Sequence, residues 1–173
     1  MNYAEIKPYD IADGPGVRVS LFVSGCTHHC EGCFNEIAWD FQYGSPFTRE
    51  VQQKILQNLQ PSYIQGLTLL GGEPLEPDNQ RALLPFLRNV RRELPGKDIW
   101  CYTGYLYTPD GVHRLIPQTE VTQELLSYLD VLVDGPFINA QKNISLLFRG
   151  SENQRLIDMK RTREEGKVVL WTR

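Results

Sequence analysis

Strand-like and helix-like runs alternate along this chain, and that alternation constrains the fold more than any other feature. Val17-Arg18-Val19-Ser20-Leu21-Phe22-Val23 is rich in β-branched residues and alternates in polarity, which reads as a strand. Thr48 can cap a helix whose Val51, Ile55, Leu56 and Leu59 share one face, with Pro61 just beyond its end. Leu67-Thr68-Leu69-Leu70 is a short apolar strand closed by Gly71-Gly72. A helical stretch from Asp78 to Leu94 comes next, and Pro85 inside it is expected to kink or restart it, because proline removes one helical hydrogen bond. Asp98 to Tyr102 reads as a strand, Thr122 to Tyr128 as a short helix, Val131-Leu132-Val133 as a strand, and Val168 to Trp171 as a last one. Such alternation predicts a parallel sheet with helical crossovers. A full eight-unit barrel needs about 250 residues, and this chain has 173. The expected fold class is therefore α/β, a partial, laterally open (β/α) barrel. No repeat or linker divides the sequence, so residues 1–173 are expected to form a single domain.

In parallel α/β folds the chemistry lies at the carboxyl ends of the strands. The distinctive segments of this chain fall there. A cysteine loop comes after the first of these strands, Gly71-Gly72-Glu73-Pro74 after the next, Thr103-Gly104 after the third and Asp134-Gly135-Pro136 after the fourth. The loop reads Cys26-Thr27-His28-His29-Cys30-Glu31-Gly32-Cys33-Phe34-Asn35, a C-x3-C-x2-C spacing. Thiolates this close can converge on one metal centre. Cubane iron–sulfur clusters are held by four thiolates, so a cubane on this loop would keep one iron open to a small-molecule ligand. A structural zinc site with His28 or His29 as fourth ligand is the alternative, although such sites usually pair two ligand arms. The remaining histidine is His113. His28 and His29 otherwise read as solvent-facing or shielding positions. Cys101, between Trp100 and Tyr102, reads as a core thiol.

The net charge of −3 disfavours a nucleic-acid partner. No run of about 18 apolar residues suggests a membrane span. No cationic stretch leading into an apolar one opens the sequence, so a cytoplasmic location is expected. Cysteines clustered in that compartment point to metal or catalysis, not to disulfides.

C-x3-C-x2-C with Phe34 beside the last cysteine, then Gly71-Gly72-Glu73-Pro74 after the next strand, resembles the radical S-adenosylmethionine enzymes. Asp13-Gly14-Pro15-Gly16-Val17-Arg18 looks like the opening shared by activases of glycyl-radical enzymes. The stretches Trp100 to Tyr105, Asp130 to Phe137 and Arg149 to Arg155 are similar to one subfamily, the activating proteins of anaerobic ribonucleoside-triphosphate reductase. The resemblance spans roughly residues 2 to 158; Met159 to Arg173 matches nothing. Two departures are mild: Glu73 stands where some members carry Asp, and Cys101 where an apolar or aromatic residue is common.

The resemblance implies a [4Fe-4S] cluster on Cys26, Cys30 and Cys33, with S-adenosyl-L-methionine on the open iron. Gly71, Gly72 and Glu73 would receive its methionyl ammonium. Gly32, Cys33 and Phe34 would lie along its adenine. Thr103 and Asp134, at strand ends, are candidates for ribose or carboxylate contacts, while Asp134-Gly135-Pro136 reads equally as a turn. The implied partners are the reductase large subunit, which would receive a glycyl radical, and a low-potential one-electron donor; a homodimer is compatible with it. Asn153, Gln154 and Arg155 are candidates for docking the partner or, equally, a helix cap and solvated surface. Activation of another glycyl-radical enzyme, a small-molecule radical reaction, and a non-enzymatic zinc-binding protein are the alternative functions.

Overall fold

Val17 to Val23 is indeed a strand, but it pairs first with one that the alternation does not reveal. In this computed structural model, which describes residues 1–109 and 116–173, β1 (Asn2–Asp10) runs antiparallel to β2 (Val17–Val23). β1 shows no alternation to read: six of its nine residues are half-buried, and it carries Pro8. A short β3 (Ser45–Pro46) meets only its first residues, so most of β1 is an edge, where a proline is tolerated.

The chain then keeps to the expected alternation through α1 (Arg49–Leu59), β4 (Ile64–Gly71), α2 (Pro77–Glu93), β5 (Asp98–Tyr102), α3 (Thr122–Ser127) and β6 (Val131–Asp134). Thr48 caps α1 by accepting from Val51 N–H. β2, β4, β5 and β6 lie parallel, and β7 (Arg155–Asp158) closes the far side antiparallel to β6. The sheet order is β3-β1-β2-β4-β5-β6-β7, so the sheet is open with two free edges. Antiparallel strands at both margins are the departure from a purely parallel expectation. In the central register Val23 lies opposite Gly71, so the ends of β2 and β4 leave the sheet at one level.

Two further expectations are corrected. Pro85 neither breaks nor restarts α2, which is one helix. It sits on the exposed side, where the carbonyl it leaves without a partner can bond to water. Val168 to Trp171 is no strand of its own; Leu170 makes one bridge to Ile157. After β7 the chain forms α4 (Met159–Glu165), capped by Asp158 and ended by Gly166 in the left-handed conformation.

Side chains alternate across the sheet. Val19, Leu21, Leu67, Leu69, Ile99 and Leu132 pack into the main core with the apolar stripes of the helices. Cys101 belongs to that core and is fully buried. The opposite face carries Arg18, Ser20, Thr68 and Trp100. Arg18 is fully buried there. Its guanidinium reaches Asp98 at 2.5 Å, Thr68 Oγ1 at 2.7 Å and Leu67 O at 3.0 Å, and lies 5.3 Å from the Trp100 ring centroid. Among the described residues no helix is long and apolar enough to cross a membrane.

Candidate metal centre

β2 ends at Val23, and the next residues turn sharply into the cysteine loop. Gly25 takes φ +95°, and a Cβ there would lie 2.3 Å from the Phe41 ring. Gly25 N–H donates to Ala38 O at 2.8 Å and Cys26 N–H to Trp39 O at 3.1 Å, so a short 3-10 turn at Glu36–Trp39 supports the loop from behind. Between its cysteines the backbone twice enters the left-handed region, at His29 and Gly32. Cys33 N–H then donates back to Cys30 O.

Cys26, Cys30 and Cys33 are thiols outside any disulfide, and all three line one cavity of about 430 Å³. The Gly71-Gly72-Glu73 turn, Thr103, Gly104 and Gly135 line it as well. Burial pushes the Cys26 thiol up to about 12 and raises that of Cys30, so a metal taken here displaces protons. Among the described residues no group of His, Cys, Asp or Glu could hold a single metal ion. A multi-iron cluster takes each thiolate on a different iron and needs no such convergence. A cavity of this size also suits a small organic ligand. The soft, unpaired donor set therefore fits an iron–sulfur cluster better than a closed zinc site.

The histidines fit that reading. His28 Nε2 lies 2.9 Å from Glu73 Oε2, and its ring packs edge-on against Tyr105 at 4.3 Å. The His29 ring packs on Trp39 at 4.5 Å. His113 falls outside the described residues.

Glu73 is 1% exposed and works as a clamp. Its oxygens accept from Leu75 N–H at 2.8 Å and Gly104 N–H at 2.7 Å, besides the contact with His28. One carboxylate thus joins the turn after β4, the cysteine loop and the end of β5. Glu76 repeats the device, accepting from Thr27 N–H at 2.9 Å and Thr27 Oγ1 at 2.5 Å. Sequence reasoning missed Thr27 and Glu76. The available signal was a second acid three residues after Glu73, at the start of a helix, where it could serve a neighbour instead of capping.

The two glycines have a sharper role than closeness to a ligand. A Cβ on Gly71, at φ +110°, would lie 2.7 Å from the backbone of Phe22 and Val23. One on Gly72 would lie 2.6 Å from Gly25 O. They let the turn press against the root of the cysteine loop, where Gly72 N–H donates to Val23 O and Glu73 N–H to Gly25 O. Gly71→Ala is expected to destabilise the protein by about 1–3 kcal/mol through backbone strain, seen as a lower melting temperature before any cofactor is added.

Thr103 lines the cavity, and its Oγ1 accepts from Tyr105 N–H. Phe34 stands at the cavity rim, 81% exposed. Gly32 packs beside Asn139. Asp13 lines the cavity from the β1–β2 connection; burial first, then its hydrogen bond with Asp10, pushes its carboxyl up to about 7.

Asp134 is placed differently from the expectation. It is fully buried and held by Arg155, and it accepts from Tyr107 N–H at 2.8 Å. Its neighbour Gly135, not Asp134 itself, is among the residues lining the cavity. Asn153, Gln154 and Arg155 likewise serve the fold. Asn153 donates to Pro136 O, and Gln154 donates to Gly135 O and accepts from Gly150 and Ser151 N–H. Together they close the β6–β7 connection on itself. Cys101 is not among the residues lining the cavity; it packs in the core, and its Sγ lies 3.6 Å from its neighbour's carbonyl.

Residues 12–157 match a 4Fe-4S single cluster domain. The chain is 46% identical over 156 residues to the anaerobic ribonucleoside-triphosphate reductase-activating protein of Haemophilus influenzae, covering 89% of this chain and 96% of that protein. Identity to the protein of the same name from Escherichia coli is 42%, over 89% of this chain and 96% of that one. Identity to the one from enterobacteria phage T4 is 43%, over 90% and 93% respectively.

Proposed function

Because this chain belongs to the anaerobic ribonucleoside-triphosphate reductase-activating proteins and carries their 4Fe-4S domain, we propose that it generates a glycyl radical on the large subunit of that reductase. The observation that carries the reading is the convergence of the three thiols and the Gly71-Gly72-Glu73 turn on one cavity. Cys26, Cys30 and Cys33 would hold the cluster, leaving one iron for S-adenosylmethionine. When bound, the pair would supply the one-electron reductive cleavage and hydrogen-atom abstraction by which a glycine Cα of the partner becomes a radical.

The chain's own residues bind, orient and shield. The Gly71-Gly72 turn receives the methionyl end, fixed in place by Glu73. Gly32, Cys33 and Phe34 border the adenine, and Thr103 the ribose. Asp134 acts at one remove, by holding Arg155 and the Tyr107 backbone. The open sheet is read as the partial barrel of radical S-adenosylmethionine enzymes, whose free side admits a peptide loop. A low-potential one-electron donor completes the cycle. Activation of a different glycyl-radical enzyme, or zinc binding without catalysis, has no observation in its favour.

Anaerobic reconstitution with iron and sulfide, then dithionite and S-adenosylmethionine, tests this reading. Release of 5′-deoxyadenosine is expected, together with a glycyl-radical signal by electron paramagnetic resonance once the reductase large subunit is present. One zinc without sulfide in anaerobically purified protein would overturn it.

A further inference from the structure

Trp171 lies beyond residues 12–157, the part that matches the cluster domain. After α4 the chain returns along the free edge of β7. Asp158 N–H donates to Val169 O at 2.9 Å, Leu170 bridges Ile157, and Trp171 N–H donates to Leu156 O at 2.8 Å. Thr162 Oγ1 accepts from Val169 N–H and fixes the return. Val168 packs on the helix-side core, whereas Trp171 packs on the opposite cluster. The segment therefore wraps the sheet edge.

There Trp171 completes a set of three rings. Its centroid is 5.1 Å from that of Trp100 and 6.3 Å from that of Phe148, and Trp100 and Phe148 are 5.6 Å apart, all edge-to-face. Phe148 belongs to the β6–β7 connection. From that connection Asn143, Ile144, Leu146 and Arg149 line the cavity over the thiols. Ile144 is 95% exposed and Leu147 60%, so neither anchors this strap. Phe148 does, through its ring and through its carbonyl, which accepts from Tyr102 Oη–H at 2.8 Å. It holds φ +56°, a conformation that a bulky residue keeps only when its surroundings enforce it.

We propose that Trp171 is a positioning residue for the strap at residues 142–149, and that through it the segment after β7 sets how tightly the cavity holds its small-molecule ligand. The proposal rests on the reading of that cavity as the S-adenosylmethionine site. Removing the indole takes away one of the two ring contacts of Phe148 and the packing that backs Trp100, so Phe148 keeps only Trp100 and the Tyr102 hydrogen bond to enforce its backbone. An edge-to-face pair of this kind is worth up to roughly a tenfold change in an equilibrium.

The test compares wild type, Trp171→Ala and Trp171→Phe after reconstitution. Two readouts are taken: equilibrium dialysis with S-adenosylmethionine, and the rate of tryptic cleavage after Lys142 and Arg149 with no ligand added. Trp171→Ala is expected to weaken binding about tenfold and to speed cleavage by a similar factor. Iron and sulfide should stay at the wild-type level, the KM for S-adenosylmethionine should rise, and kcat should stay within about twofold. Trp171→Phe should restore most of both effects. Unchanged affinity in Trp171→Ala would overturn the role of Trp171 while leaving the site intact. Wild-type protein that binds no S-adenosylmethionine would overturn the reading of the cavity, whatever the strap does.

Discussion

Replacing Cys26, Cys30 or Cys33 by alanine is expected to leave the reconstituted protein with background iron and sulfide and no release of 5′-deoxyadenosine. Cys101→Ala is expected to keep both. The contrast comes from placement. The three loop thiols line one cavity, whereas Cys101 is sealed in the helix-side core behind the sheet. Among the described residues, the loop's own histidines are held elsewhere: His28 is engaged by Glu73, and His29 is packed on Trp39. A cubane with three protein ligands already has one open iron, and a second open iron leaves it prone to loss. Iron and sulfide analysis with product assay decides the matter. Retained cleavage in any of the three loop variants would remove that residue from the ligand set, and a cluster lost in Cys101→Ala would contradict its place in the core.

Arg18→Met should cost about 3–5 kcal/mol of stability, because removing one partner of a buried ion pair strands the other and its acceptors. Arg18 is wholly enclosed, and its departure frees Thr68 Oγ1, Leu67 O and the Asp98 carboxylate together. Asp98→Asn should cost less, since the Asp98 side chain is 26% exposed and Asn keeps an oxygen for the guanidinium. Urea midpoints of the ligand-free proteins measure both. The effect should extend to the site: Arg18 also donates to Pro15 O, and Thr68 Oγ1 donates to Asp13 O, which fixes the connection that brings Asp13 to the cavity. Equal costs for the two variants would show that the pair, not the guanidinium's other contacts, carries the energy.

Much of this was legible because local pattern and tertiary demand agree. β2 and β5 have the bounds their polarity suggests, and the segments after β2, β4 and β5 supply the cavity. The failures have physical causes. β1 is mostly half-buried on both faces, so neither stands out. β7 has four residues and is fixed by Arg155 reaching Asp134, a contact across 21 positions that no local pattern encodes. Asp134 looked like a ligand contact because acidic residues at strand ends often are; its partners were visible only in three dimensions. Phe148 and Trp171 meet across a sheet edge, and their spacing carries no period.

The pairing of Val23 with Gly71 has a consequence for how the site forms. Backbone hydrogen bonds between β2 and β4 decide where the thiol loop and the glycine turn stand. A slip of one residue would displace one against the other by about 3.3 Å and turn alternate side chains to the wrong face. The level at which the thiol loop faces the glycine turn is therefore a product of sheet assembly. A chain that zips up out of step would hold its thiols and its glycine turn at different levels, a fault that no supply of metal repairs.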